Sequence, residues 1–205
     1  MNFIALKAII KETRMKLFSA HELQMLLKVS PSALNRLVWS YVKKGFLVKL
    51  KNNLYCLAEN PPSPYCIANK LYSPSYISFD TALSFYGIIP ETIYTLTSAT
   101  AKTTRKFEAA GIAYHYFHIK KEAYTGYIPL KHDENIVHMA EPEKALADYL
   151  YFVDLKKRNL QYERINLKKI KRAKLINYLK LFKRPKTLKL MKQIYADQRK
   201  FTRIY

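Results

Sequence analysis

The stretch that decides the fold is residues 30–57, which read SPSALNRLVWSYVKKGFLVKLKNNLYCL. Ser30 suits a helix N-cap, and Pro31 suits the first helical position, where its missing N–H costs nothing. From residue 34 to residue 42, apolar side chains then repeat at i, i+3, i+4, i+7 and i+8, which is the period of a helix with one buried face. Two short apolar segments around Asn52-Asn53 predict a β-hairpin directly after this helix.

Two further helices are predicted upstream of this stretch. Residues 3–11 place their apolar side chains on one helical stripe. Ser19 and Glu22 have the spacing of a capping box, and the helix that they open carries leucines on its inner face. Three helices followed by a basic-tipped hairpin are the order of a winged helix-turn-helix. We therefore expect such a DNA-binding domain in residues 1–60.

The side chains outside the apolar stripe of the third predicted helix are of types that contact DNA. Asn35 and Arg36 can make bidentate contacts to adenine and guanine edges, and serine and lysine suit phosphates. Trp39 lies on the same face and could either contact DNA or pack against the neighbouring domain. The alternative for the whole set is a solvated helix face that binds nothing. The hairpin tip would lie along the DNA backbone or in the minor groove. The predicted DNA-binding residues are Ser30, Ser32, Asn35, Arg36, Ser40, Lys43, Lys49, Lys51, Asn52 and Asn53.

The formal net charge of +21 is unevenly distributed along the 205 residues. Residues 1–60 have ten basic against three acidic side chains, net +7, and residues 61–155 have eight against ten, net −2. Residues 156–205 have eighteen against two, net +16. Two basic ends around a nearly neutral middle predict a polyanion partner, with nucleic acid as the first candidate. An acidic protein partner for the C-terminal end remains an alternative.

The basic C-terminal stretch, residues 156–205, is expected to be helical. Asn166 is predicted to cap a helix that runs to about Phe182, and Pro185 to start a last helix. Such a run of lysines is often a solvated face, but a net charge of +16 in fifty residues repels itself without a partner. The predicted secondary patch of phosphate-contacting residues is Lys168, Lys169, Lys171, Arg172 and Lys174.

Between these basic ends the sequence predicts a mixed region of helices and strands. The Pro-rich segment 59–64 marks the boundary between two domains, 1–60 and 61–205. Residues 75–83 are expected to cap and open a helix, and Pro142 to start another that runs to Phe152. Strands are expected at 93–97, 112–119, 124–130 and 136–139, with turns at Gly111 and Gly126. The predicted fold class is α+β, with an N-terminal winged helix-turn-helix and a C-terminal mixed α/β domain that ends in basic helices.

Three motifs in this second region carry a resemblance to a known family. They are residues 72–83 continuing to 87–91, residues 94–100 with Lys102 and Arg105, and residues 140–148. In this order and spacing, over residues 3–155, the chain resembles the AbiEi family of antitoxins from bacterial type IV toxin–antitoxin and abortive-infection (phage-defence) systems. The residues also have structural readings, since Glu141-Pro142-Glu143 is a helix start with Lys144 and Asp148 one turn apart.

The resemblance implies a transcriptional autoregulator that is also an antitoxin. Its N-terminal domain would bind inverted repeats of double-stranded DNA in its own promoter, with two copies on the operator. Its C-terminal domain would oppose a nucleotidyltransferase toxin without forming a stable complex with it. The alternative within the binding class is a stand-alone winged-helix transcription factor that has no toxin partner.

An enzyme has little support in the sequence. The four glycines are too dispersed for a P-loop or a dinucleotide-binding fingerprint. The best acid–imidazole cluster is His132, Asp133, Glu134 and His138, which would suit a metal-dependent enzyme acting on nucleic acid. We otherwise expect no catalytic residue, metal or cofactor. Two cysteines, no secretory signal and no apolar run of membrane-spanning length predict a cytoplasmic protein.

Overall fold

The computed structural model describes residues 3–158 and 165–201 and confirms a mixed α+β protein. Parts of the predicted basic stretch 156–205, namely residues 159–164 and 202–205, lie outside the described residues. The helices are α1 (Phe3–Glu12), α2 (Ala20–Leu27), α3 (Pro31–Lys43), α4 (Pro64–Leu71), α5 (Phe79–Phe85), α6 (Pro142–Asp154), α7 (Arg172–Leu181) and α8 (Pro185–Phe201). The strands are β1 (Leu47–Lys51), β2 (Leu54–Leu57), β3 (Ser75–Ile77), β4 (Thr95–Thr100), β5 (Arg105–Ala109), β6 (Ile112–His118), β7 (Tyr127–His132) and β8 (Asn135–Ala140).

The caps of α2 and α3 are the ones that the sequence predicts. The hydroxyl of Ser19 accepts from the backbone N–H of Glu22, and the Glu22 carboxylate accepts from the N–H of Ser19 at 2.6 Å, which completes a capping box. Ser30 caps α3 by accepting from the N–H of Ala33, and Pro31 occupies the first helical position. These local hydrogen bonds satisfy N–H groups that a helix leaves without internal partners.

The β1–β2 hairpin separates two hydrophobic cores and contributes side chains to each. Leu47 pairs with Leu57, and both are buried in the first core, which α1–α3 form. Val48 pairs with Cys56, and both pack into the second core, which extends through the rest of the chain to α8. Because successive side chains of a strand point to opposite faces, one short hairpin contributes to both cores.

A six-stranded sheet with the order β5-β6-β4-β3-β8-β7 forms the centre of the second core. The pairs β4–β6 and β3–β8 are parallel, and the other three are antiparallel. On one face, the Tyr116 hydroxyl donates to the carbonyl of Ala68 in α4 at 2.5 Å. On the other face, the Tyr76 hydroxyl donates to Asp148 in α6 at 3.1 Å. The sheet is therefore covered by helices on both sides.

The prediction of one helix over residues 75–83 is wrong. Residues Ser75–Ile77 form β3, which pairs with β4 and β8, and α5 begins only at Phe79. A three-residue strand carries too little pattern to be recognised, and its neighbours in the sheet hold it extended. Helix α4 and strand β5 were not predicted at all, although Ser63 caps α4 and Pro64 starts it, as Ser30 and Pro31 do for α3.

The start of the C-terminal helix also differs from the prediction. Asn166 caps a 3₁₀ turn, Leu167–Lys169, because its side-chain oxygen accepts from the N–H of Lys168 at 3.1 Å. The backbone is then extended at Ile170, and α7 begins at Arg172. Helix α8 begins at Pro185, as predicted. In the third strand of the prediction, the start shifts from Tyr124 to Tyr127, where β7 begins.

Over residues 3–158 and 165–201, none of the helices has both the length and the apolar character that a bilayer crossing requires.

Candidate nucleic-acid interface

The solvent face of α3 presents two rows of polar side chains. Asn35, Trp39 and Lys43 are spaced four residues apart, so they lie on one line along the helix. Trp39 is 66% exposed, and the ammonium of Lys43 lies 5.1 Å from the centre of its ring. A ring packed against the rest of the chain would be covered, so this exposure excludes the alternative that Trp39 packs against residues 61–205.

The second row on α3 contains Arg36, Ser40 and Lys44. Beside it runs a groove of about 630 Å³, which these three residues line together with the rings of Phe3 and Phe46. Within the described part of the chain, the side chain of Arg36 makes no hydrogen bond or ion pair, and the same is true of the side chain of Asn35 in the first row. Both side chains are therefore free to bind an external partner with all their donors and acceptors.

The hairpin tip divides the predicted contacts into free and engaged side chains. The register of β1 shifts between Lys49 and Lys51, which marks a β-bulge. A bulge changes the face on which the next residue lies. Lys49 stays exposed, whereas the Lys51 ammonium donates to the carbonyl oxygens of Leu71 at 2.7 Å and Lys70 at 3.3 Å, at the end of α4.

The ammonium of Lys51 is thus engaged within the molecule, and its role as a DNA contact stays a prediction. Burial of its ammonium lowers the pKa of Lys51, and the nearby charge of Lys102 lowers it further. Regular alternation would have put Lys49 and Lys51 on the same face, so the difference between them could not be predicted from the sequence. In this structure Lys51 ties the hairpin to α4.

Asn53 and Ser30 also have structural roles. Asn53 adopts a left-handed conformation at φ +60°, and its side-chain oxygen accepts from the N–H of Ala20 at 2.8 Å, at the start of α2. Ser30 uses its hydroxyl in the α3 cap and lies 3.2 Å from the hydroxyl of Ser32. Asn52 is exposed at the tip. Lys49 and Asn52 are thus the tip residues best placed to meet a partner.

In the predicted secondary patch, Lys169 and Lys174 are engaged within the molecule. The Lys169 ammonium donates to the carbonyl of Tyr86 at 2.8 Å. The Lys174 ammonium donates to the Glu141 carboxylate at 2.7 Å, and Tyr178 donates to the same carboxylate. That hydrogen bond to Glu141 raises the pKa of Lys174. Although burial raises the pKa of Glu141, the hydrogen bonds from Lys174 and Tyr178 outweigh it and hold the pKa below its ordinary value.

The other three residues of the patch are more available. The Arg172 guanidinium lies 5.3 Å from the centre of the Tyr195 ring, a cation–π contact that leaves its N–H groups free to bind. Lys171 donates its backbone N–H to Glu143 at 3.0 Å, and its side chain is exposed, as is that of Lys168. Three of the five cations of the patch are therefore available to an external partner.

Three cations near the predicted surface were not predicted as contacts from the sequence. Lys44 continues the row of Arg36 and Ser40, and its i+4 spacing could have revealed it. Lys102 and Arg105 both lie over the ring of Tyr72, at 5.6 and 5.9 Å, beside the hairpin because β5 contacts β1. No signal in the sequence reveals that tertiary neighbourhood.

Comparison with known proteins does not supply a function. No family model matches the chain, and no curated protein matches it. The function is therefore inferred from the residues and their geometry.

The most deeply buried charged residues belong to a structural network. Lys144 and Asp148 are fully buried in α6 and form an ion pair. Asp148 also accepts from Ser78 at 2.7 Å and from Tyr76 at 3.1 Å. Burial raises the pKa of Asp148 and lowers the pKa of Lys144. Because solvent does not reach these groups, the network ties β3 to α6 rather than offering a site to a substrate.

In the acid–imidazole cluster of the enzyme alternative, Nδ1 of His132 lies 3.2 Å from the Asp133 carboxylate, but the two imidazoles are separated. His132 pairs with Asn135 and His138 with Pro129 in the β7–β8 register, so the two imidazoles lie on opposite faces of the hairpin. The Glu134 carboxylate lies 3.3 Å from the ammonium of Lys16. Across the described ranges, no group of three or more His, Cys, Asp or Glu side chains is placed to hold a metal ion.

Proposed function

We propose that this protein is a DNA-binding transcriptional autoregulator whose first sixty residues act as a winged helix-turn-helix. The single observation that carries the proposal is the unpartnered pair Asn35 and Arg36 on the exposed face of α3. An unpaired guanidinium on a helix that a major groove can admit is suited to a bidentate contact with guanine, and an unpaired amide to one with adenine.

The surroundings of this pair supply the phosphate contacts that such a helix needs. Lys43 and Lys44 close α3, and Lys49 and Asn52 extend from the hairpin. Contacts of this kind fix the position of a protein on DNA and carry little sequence information. The excess of basic residues in 1–60, net +7, would draw the domain to DNA and make binding depend on salt.

We further propose that the protein is the antitoxin of a type IV pair and opposes a nucleotidyltransferase toxin without a stable complex. This half of the proposal is supported by the resemblance of residues 3–155 to the AbiEi family. Two copies would occupy inverted repeats in the promoter, because a two-fold arrangement of half-sites matches two copies of one recognition helix. Lys168, Lys171 and Arg172 would add phosphate contacts outside the first domain.

The DNA half is tested by binding of the full-length protein to its own upstream DNA and to unrelated DNA across a salt series. Arg36→Ala is expected to weaken specific binding by about 10- to 100-fold, the effect of losing one bidentate base contact. Lys121→Ala, which removes an exposed cation far from α3 in sequence, is the matched control and should change binding by less than about twofold. Equal losses in the two variants would contradict a recognition role for α3.

The antitoxin half is tested by co-expression with a nucleotidyltransferase toxin of a type IV pair. Wild type should rescue growth and repress its promoter, and Arg36→Ala should rescue growth but lose repression, since the two activities use different domains. Intact repression without rescue by wild type would support the alternative, a stand-alone transcription factor.

A further inference from the structure

A cleft of about 600 Å³ opens where the end of α1 meets the turn of the β7–β8 hairpin. It lies between the two cores and away from the exposed rows of α3, whose residues do not line it. Its volume is in the range of pockets that hold small molecules. Ten residues line it: Ile10, Lys11, Arg14, Met15, Lys16, Leu57, Asn60, Lys131, Glu134 and Asn135.

The charge of this cleft is strongly positive. Four of its side chains are basic, and the one acid, Glu134, is paired with Lys16. The side chains of Lys11, Arg14 and Lys131 make no hydrogen bond or ion pair with the residues that the structure describes. Three unpaired cations around one concave surface repel one another and attract an anion that carries several charges.

Apart from Asn60 and Asn135, the remaining wall is apolar. Ile10 and Leu57 belong to the first core, and Met15 packs against it. An apolar wall beside a cationic wall suits a molecule that has an anionic end and a flat or apolar body, since aromatic rings pack well against methionine and branched side chains. A bare inorganic anion would leave this wall unused.

We propose that the cleft binds a phosphorylated small molecule of nucleotide size. Its phosphates lie against Lys11, Arg14 and Lys131, and its base packs on Met15 and Leu57. Because α1 belongs to the first core and the β7–β8 hairpin to the second sheet, the bound molecule bridges the two parts of the chain. The site does not depend on the proposed DNA binding.

The test is calorimetric titration of the full-length protein with ATP and, separately, with tripolyphosphate, in the absence of DNA and at physiological salt. ATP is expected to bind with one-to-one stoichiometry, and tripolyphosphate to compete with it. Lys131→Glu should weaken ATP binding by at least about tenfold, because it replaces an attraction with a repulsion. Lys106→Glu is the matched control: it reverses an exposed lysine on the edge strand at the opposite end of the same sheet, and it should change binding by less than about twofold.

Two further variants separate the parts of the site. Lys11→Ala should weaken both ATP and tripolyphosphate, because it removes one of the three unpaired cations. Met15→Ala should weaken ATP and leave tripolyphosphate unchanged, because it removes apolar wall alone. Far-ultraviolet circular dichroism and thermal unfolding of each variant establish that it is folded before it is titrated.

Three results would overturn the proposal. One is the absence of saturable binding of either probe. Another is an equal loss in Lys131→Glu and Lys106→Glu, which would show diffuse attraction by the net charge. The last is that neither probe binds while Lys131→Glu weakens binding to duplex DNA, which would make the cleft part of a nucleic-acid surface. Loss of promoter binding in Arg36→Ala with intact ATP binding would leave this site in place whatever the outcome for the DNA proposal.

Discussion

The exposed face of α3 and the helices α6 and α7 all contain basic residues but use them differently. On α3, Asn35 and Arg36 are unpartnered within the described chain, whereas Lys144 is paired with Asp148 and Lys174 with Glu141. The C-terminal stretch has more than twice the net charge of the first sixty residues, yet several of its cations hold the fold together. A surface for binding is therefore identified by the cations left without partners, and charge density alone does not identify it.

The largest effect on stability is expected from removing the carboxylate partner of the buried Lys144. Asp148→Asn leaves the Lys144 ammonium buried without a carboxylate, and breaking a buried pair in this way should lower the free energy of unfolding by about 3–5 kcal/mol. Urea denaturation measures the loss. The double variant Lys144→Met with Asp148→Leu should be less destabilised than Asp148→Asn, because neither charge remains in the core. A double variant that is the less stable of the two would show that the hydrogen-bonded geometry matters more than the charge.

The next effect is expected at an unpartnered residue on α3 and concerns binding rather than stability. Asn35→Ala should cost about 1–3 kcal/mol of discrimination at one base pair of the operator, because the amide can read a single adenine. The free energy of unfolding should stay unchanged. Asn177→Ala is the matched control, since Asn177 is exposed on α7, and it should alter neither quantity. Binding measured on operators changed one base pair at a time separates the two variants, and a similar effect of both would break the comparison.

A smaller, pH-dependent effect is expected at the Glu141 carboxylate. Glu141→Gln should lower the free energy of unfolding by about 1 kcal/mol at neutral pH, as for a partly exposed ion pair. The pKa of Glu141 is lower in the folded protein than its ordinary value of 4.5, so its charged form is stabilised by folding. The difference between wild type and Glu141→Gln should be complete above that ordinary pKa and should disappear as the pH falls through the folded-state pKa. Urea titrations over this range test the sign; a difference that grows in acid would contradict it.

The smallest effects should separate two lysines of the same strand. Lys49→Ala should weaken binding to all DNA sequences alike and reduce the slope of log affinity against log salt by about 1, as for one phosphate contact. Lys51→Met should leave that slope unchanged and lower the thermal midpoint slightly, because Lys51 bonds the end of α4. If both variants reduce the slope, the bulge does not separate the two side chains in solution.

The sequence predicts those parts of the fold that depend on local chemistry. Ser19, Ser30 and Pro185 mark helix starts because capping needs only neighbours in the chain, and Gly111 marks a turn because Ala110 and Gly111 both have positive φ. The strand β3 was missed because three residues carry no period, and β5 because its extended form depends on pairing with β6. In each miss, a tertiary contact decides the local conformation.

In the candidate site, too, the features set by local chemistry can be predicted from the sequence, and those set by tertiary contacts cannot. The exposure of Asn35 and Arg36 follows from the helical period, so the sequence predicts it. The engagement of Lys51 by the end of α4, and that of Lys174 by a carboxylate 33 residues away, depend on the packing of distant segments. Periodicity shows which side chains leave the core, and it does not show which of them meet a partner on the surface.

The hairpin shared by the two cores makes Cys56 a natural chemical reporter. Its thiol is fully buried in the second core, and burial raises its pKa to about 11. Alkylating reagents attack thiolates that they can reach, so Cys56 can be modified only while the hairpin stands away from the sheet. In a Cys66→Ser background, the rate of alkylation would therefore give the frequency with which the first sixty residues detach from the rest of the chain, without any label being attached beforehand.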